Sequence, residues 1–299
     1  HCFIRRRRQM GIRDRPKRGG AMEVTSKGDF VLYVVMNLPL FFALALIVWQ
    51  LGPYKLGMLG APTTYLLYGA IGVMAAVQFL RIWQINGHVF QRPVPAFDRY
   101  PFKQVALLNL VYMASFGSEL AVVSMLPLYF LDTFDISPML AGMLGGSFAL
   151  MNLFGRPGGG YLADRYGRKL ITILMLAGIA VGYFFMARID SSWPLPLAVA
   201  LVVLCSIFVQ GGCGAVYASV PLVKRRLTGQ VAGMAGAYGN VGGVVFLVVL
   251  ALVPSDQFFL VLGAIALAIM SLVMIFMDEP DPQTSEVMPD GSVRMIDVT

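Results

Sequence analysis

The chain has 299 residues, 58% of them apolar and 13% charged, with a net charge of +7. This balance lies far from that of a water-soluble globular domain and excludes one. The cysteines Cys2, Cys205 and Cys213 have no metal-ligand spacing, and His1 and His88 lie outside the apolar runs, so neither a metal site, a cofactor nor an enzyme's nucleophile–base pair is expected.

In chain order, a basic segment over 1–29 precedes eight apolar runs, at about 30–51, 62–84, 105–131, 138–159, 170–187, 195–220, 230–253 and 257–277. Each is long enough to cross a bilayer as a helix, and no alternating β-barrel pattern is present. The expected fold is an all-α polytopic membrane protein of about eight transmembrane helices. Its parts are a basic N-terminal segment (1–29), two helices (30–84), a linker over 85–102 carrying Pro93, Pro95 and Pro101, a six-helix body (103–277) and a tail (278–299). Cys205 and Cys213 fall on the sixth span and read as small packing residues.

Charge sets the orientation. With eight spans, one side holds both termini and 20 of the 23 Lys and Arg, while the other holds only Lys55 and Arg188. Positive charge favours the cytoplasmic side, so both termini are expected there, in a cytoplasmic (inner) membrane. The Arg5–Arg8 run lies beside the first span, which makes inner-leaflet lipid the partner of the basic charge rather than nucleic acid. No signal peptide is visible.

Between the fourth and fifth spans runs Gly159-Gly160-Tyr161-Leu162-Ala163-Asp164-Arg165-Tyr166-Gly167-Arg168-Lys169. Glycine lets helix ends approach, Asp164 can sit against a helix N-terminus, and Arg168 can pair across the loop. The pattern, with Gly160, Asp164, Arg165, Gly167, Arg168 and Lys169 at its fixed positions, resembles the cytoplasmic loop signature of the major facilitator superfamily. That resemblance implies that 103–277 is the C-terminal six-helix half of such a transporter and that 30–84 are the last two helices of the first half. Four earlier helices would lie outside this chain, which starts on His1, so the expectation is a piece of a longer gene product that does not catalyse alternating access alone.

Arg156 is the charge the membrane makes most conspicuous. It sits inside Phe154-Gly155-Arg156-Pro157-Gly158-Gly159-Gly160, where an ionisable group is costly unless it serves a partner, substrate or ion path. At about 1.5 Å per residue, Arg156, Tyr112, Phe116, Tyr238 and Asn240 fall roughly 12–19 Å from the inner face, one layer near the midplane. On the seventh span Gly233, Gly236, Gly239 and Gly242 form a stripe, readable as close helix packing or as a site wall. Glu119 falls at roughly 24 Å, too far above Arg156 for a direct pair to be expected. It reads as a proton-coupling carboxylate, or as the partner of ordered water or of a residue outside the chain.

The run Gly236-Ala237-Tyr238-Gly239-Asn240-Val241-Gly242-Gly243, with Tyr112–Ser118 and the Arg156 segment, resembles the nitrate/nitrite porter family. The resemblance implies that Arg156 grips an oxyanion, that Tyr112 and Phe116 form aromatic walls, and that Gly236, Gly239, Asn240 and Gly242 line the other side. Asn152, one turn before Arg156, is a second candidate donor. A guanidinium suits this task because its planar fork matches a planar anion. The family's second arginine lies outside the chain, and the first span has no Gly-Asn-x-Gly equivalent. The implied function is secondary transport of nitrate or nitrite, by exchange or by proton-coupled uptake. The competing readings are an exporter of another small solute and a sensor or inactive membrane fragment.

Overall fold

An α-helix satisfies its own backbone hydrogen bonds where no water is present, and each apolar run adopts one. The computed structural model describes residues 21–91, 94, 99–279, 283–287 and 293–297. Its helices are α1 (Lys27–Leu51), α2 (Ala61–Asn86, continued as a 3-10 turn over Gly87–Phe90), α3 (Phe102–Phe134) and α4 (Pro138–Tyr166). Then come α5 (Arg168–Met186), α6 (Leu195–Val223), α7 (Thr228–Leu250) and α8 (Ser255–Phe276). All eight are long and apolar enough to cross a membrane. Cys2, the Arg5–Arg8 run, Pro93 and Pro95 lie outside the described residues.

Local chemistry sets the helix ends. Ser26 caps α1 by accepting from the Asp29 N–H at 3.0 Å, and Ser137 caps α4, with Pro138 in its first turn. Asp135 closes α3 in the left-handed conformation (φ 50°). Two irregularities fall inside spans: a π-helical turn over Met113–Gly117 in α3, and a break at Met151 in α4.

One boundary differs from the sequence reading. The fourth span does not end near residue 159; it stays helical to Tyr166, and Gly167 alone turns the chain into α5. Its φ of 102° is open to glycine and strained for other residues. Within the tail, β1 (Gln283–Val287) pairs antiparallel with β2 (Val293–Asp297), Gln283 opposite Asp297 and Val287 opposite Val293.

The chain divides into two compact units. The first comprises residues 1–106 and 223–233. In it α1 and α2 pack as an antiparallel pair, Gln78 donating to Asn37 at 3.3 Å. The buried Asn86 side chain ties down the segment before α1: its Oδ1 accepts from Val24 N–H at 2.7 Å and its Nδ2 donates to the Met22 carbonyl at 3.0 Å. Arg226 and Glu23 form an ion pair at 3.1 Å.

The second unit comprises residues 107–222 and 234–299. Its most enclosed span is α3, 78% of whose apolar stretch is buried. It packs along the first half of α4, where a Cβ at Gly145 would meet Pro127 at 2.7 Å, while α5 packs along α8. Such contacts rest on van der Waals packing and small residues, because lipid tails are as apolar as the side chains. The buried thiols Cys205 and Cys213 fit this pattern, Cys205 packing on Gly182.

Candidate functional site

Backbone contact between α4 and α6 builds the site. A Cβ at Gly155 would meet Gln210 at 2.5 Å; one at Gly159 would run into the Gly211 backbone; one at Gly214 would run into the Arg156 carbonyl. The glycines flanking Arg156 therefore have a local cause: α4 approaches α6 so closely that no side chain fits between them. Gly158, which faces elsewhere, meets nothing within 4 Å. This contact carries the Arg156 side chain into the unit, 30% exposed.

Three groups meet the guanidinium, and a fourth, Asn152, meets its carboxylate partner. Its Nη2 pairs with Glu119 Oε2 at 2.9 Å, and its Nε donates to Gln210 Oε1 at 3.2 Å. Its Cζ lies 5.3 Å from the Phe116 ring centre, a cation–π arrangement. Asn152 Nδ2 donates to the other Glu119 oxygen at 3.4 Å. The direct Arg156–Glu119 pair corrects the expectation that the two lie too far apart. That arithmetic compared Cα heights along ideal helices, whereas the π turn at Met113–Gly117 and the break at Met151 alter the rise, and two long side chains span the rest.

Aromatic rings form the adjoining wall. Tyr112 and Phe116 stack at 5.2 Å with planes 15° apart, and Tyr217 of α6 meets Tyr112 edge-on at 5.2 Å. α7 closes behind them. A Cβ at Gly239 would strike Phe116 at 2.5 Å and Tyr112 at 2.8 Å, and one at Gly242 would strike the Met113 carbonyl oxygen at 2.7 Å. Gly239 thus seats the two rings, and Gly242 lets α7 close on α3. A Cβ at Gly236 would meet the Tyr217 hydroxyl at 3.8 Å, with room to spare. Asn240 is exposed and donates to the Gly236 carbonyl of its own helix at 3.0 Å, so it is not drawn into the cluster.

The residues of the loop signature sit at the junction of α4 and α5. Arg168 Nη2 pairs with Asp164 at 2.7 Å, and Arg165 donates to the Tyr161 hydroxyl at 2.7 Å. The acid against the N-terminus of α5 is not Asp164, as expected, but Glu279, whose oxygens accept the N–H groups of Arg168 at 2.6 Å and Lys169 at 2.8 Å. A Cβ at Gly160 would meet the Gly214 carbonyl oxygen at 3.6 Å, an ordinary contact. At the α5–α6 turn Ser192 donates its hydroxyl and N–H to Asp190, holding that exposed carboxyl below its ordinary range.

Sequence reasoning missed Gln210 and Tyr217. Gln210 is fully buried, with its Nε2 unpartnered among the described residues. A polar amide inside an otherwise apolar span was the available signal, of the same kind that singled out Arg156. No cluster of three or more His, Cys, Asp or Glu able to hold a metal occurs among the described residues.

Eight membrane-length helices, with a partly buried guanidinium, a carboxylate and stacked rings among the helices of the second unit, define a polytopic membrane protein with a polar site inside its spans. The chain matches the family model of the Major Facilitator Superfamily over residues 36–247 and again over 108–292. It belongs to that superfamily. It is 39% identical over 269 residues to a nitrate/nitrite transporter, NrtP, of Nostoc punctiforme, covering 89% of this chain and 54% of that protein. To the NrtP of a Picosynechococcus species it is 41% identical over 292 residues, 91% of this chain and 54% of that protein. A high-affinity nitrate transporter 2.3 of Oryza sativa subsp. japonica is 39% identical over 147 residues, 46% of this chain and 28% of that protein. The chain spans about half the length of the first two.

Proposed function

We propose that this chain carries the anion-binding part of a secondary transporter of nitrate and nitrite, working by alternating access in the cytoplasmic membrane. The observation that carries the reading is the Arg156 guanidinium, held inside a span over the Phe116 ring and sharing the Glu119 carboxylate with a second donor, Asn152. A guanidinium offers parallel N–H donors to a flat trigonal oxyanion, and the stacked Tyr112–Phe116 pair gives that ion a flat wall. Gly239 keeps the wall in place, and Gly242 keeps α7 against α3. The names of the relatives support the same substrate class. Orientation follows from the charge split: both termini are cytoplasmic, Lys55 and Arg188 face outward, and the basic side meets inner-leaflet lipid. The Asp164–Arg168 pair and Glu279 at the N-terminus of α5 then fasten the cytoplasmic ends of α4 and α5, which rocking of this body would move as one.

Titration calorimetry on the purified chain tests the reading, with nitrate and nitrite as ligands and sulfate and phosphate as comparisons. Saturable nitrate binding that Arg156→Lys abolishes is expected, because lysine keeps the charge and loses the fork. Equal binding by both proteins removes Arg156 from the site.

A further inference from the structure

The donors assigned above to a substrate anion already hold an anion. Glu119 takes Arg156 Nη2 at 2.9 Å through one oxygen and Asn152 Nδ2 at 3.4 Å through the other. A carboxylate and a nitrate are alike in what these donors see: a flat group with two oxygens side by side, carrying one negative charge. Both cannot occupy the same donors. Glu119 is 6% exposed, so a carboxylate leaving Arg156 has little water to turn to.

Charge balance then governs the fate of that carboxylate. Among the described residues, the titratable groups facing Glu119 are Arg156 of α4, Cys213 of α6 and Tyr183 of α5, whose hydroxyl donates to Ser118; Tyr112 lies beyond Arg156 on α3 itself. Arg156 is the cation among them. With Glu119 ionised the cluster is neutral, and an added monovalent anion would leave a net negative charge in a poorly solvated place. One proton restores neutrality.

We propose that Glu119 is an internal competitor for the anion: an arriving monovalent oxyanion displaces it from Arg156 and Asn152, and the displaced carboxylate takes one proton from solvent, becoming a neutral acid. This rests on the assignment of Arg156 as the anion's ligand. No other bond is made or broken, so the anion and the proton enter the site together. Release of the anion returns Glu119 to Arg156 and expels the proton. By linkage the anion binds more tightly as pH falls, by up to about tenfold per pH unit where one proton is taken up per anion.

The test is titration calorimetry of the purified 299-residue chain with sodium nitrate, between about pH 5.5 and 7.5, in two buffers of different ionisation heat. The wild type is expected to take up close to one proton per nitrate, its affinity falling up to about tenfold per pH unit as pH rises. Glu119→Gln, locked in the neutral form, is expected to take up none and to bind at every pH at least as tightly as the wild type does at the acid end. Wild-type binding without proton uptake overturns the proposal, as does a Glu119→Gln variant that still takes up a proton. If that variant does not fold, the wild-type proton count decides alone. Absence of nitrate binding by both proteins at every pH overturns the anion-site assignment itself and this inference with it.

Discussion

The contact between α4 and α6 places Arg156, and a single methyl group tests it. In Gly159→Ala the added Cβ would stand 2.6 Å from the Gly211 carbonyl carbon and nearer still to its oxygen and Cα, whereas ordinary contact begins at 3.4 Å. Every atom it meets is backbone, so no rotamer change relieves the overlap, and the helices must separate by at least about 0.8 Å. Alanine gains about 1 kcal/mol over glycine in helix propensity, and overpacking of this kind costs about 1–3 kcal/mol. The expected sum is a net loss of up to about 2 kcal/mol for Gly159→Ala, together with nitrate affinity weakened about tenfold as the guanidinium leaves its position. Its neighbour Gly158 meets nothing within 4 Å, so Gly158→Ala has the propensity gain alone and should be stabilised by up to about 1 kcal/mol. Thermal unfolding in detergent, with and without nitrate, reads both variants. Equal stability of the two would refute the close approach and, with it, the account of how Arg156 is placed.

The same geometry has other consequences. Glu279→Ala removes the acceptor of two N–H groups at the start of α5 and should lower thermal stability by about 1–2 kcal/mol, leaving nitrate affinity unchanged in calorimetry. Gln210→Leu removes the acceptor of the Arg156 Nε and should weaken nitrate binding several-fold while keeping the fold; unchanged affinity would show that Gln210 does not orient the guanidinium. In a background without the native cysteines, impermeant thiol reagents applied to intact cells should label cysteines placed at Lys55 and Arg188 but not at His88. Labelling at 88 would invert the orientation.

Much of the fold was legible because bilayer thickness leaves a direct mark on sequence: an apolar run of helix-spanning length has few other uses. Arg156 was legible for the complementary reason, since a charge inside such a run demands a cause. The Arg156–Glu119 pair was not. Height along an ideal helix ignores side-chain length, and neither the π turn at Met113–Gly117 nor the break at Met151 announces itself in the sequence. Glycine spacing likewise showed that close approach was available without saying to what: Gly155 and Gly159 meet α6, Gly242 meets α3, and Gly158 meets nothing. The pairing of Glu279 with the start of α5 joins residues 111 positions apart, beyond any local pattern. The strand pair of the tail did leave a sign, Pro289-Asp290-Gly291 between two β-prone runs.

The central claim is that a planar monovalent anion sits on the Arg156 guanidinium. Solid-state NMR dipolar recoupling between ¹⁵N-nitrate and ¹³Cζ-labelled arginine in reconstituted chain measures that contact itself. Two parallel N–H···O bonds put the nitrate nitrogen roughly 4 Å from Cζ, so a short-range dephasing signal is predicted, absent in Arg156→Lys. A signal that persists in Arg156→Lys, or saturating nitrate with no dephasing in the wild type, would contradict the account.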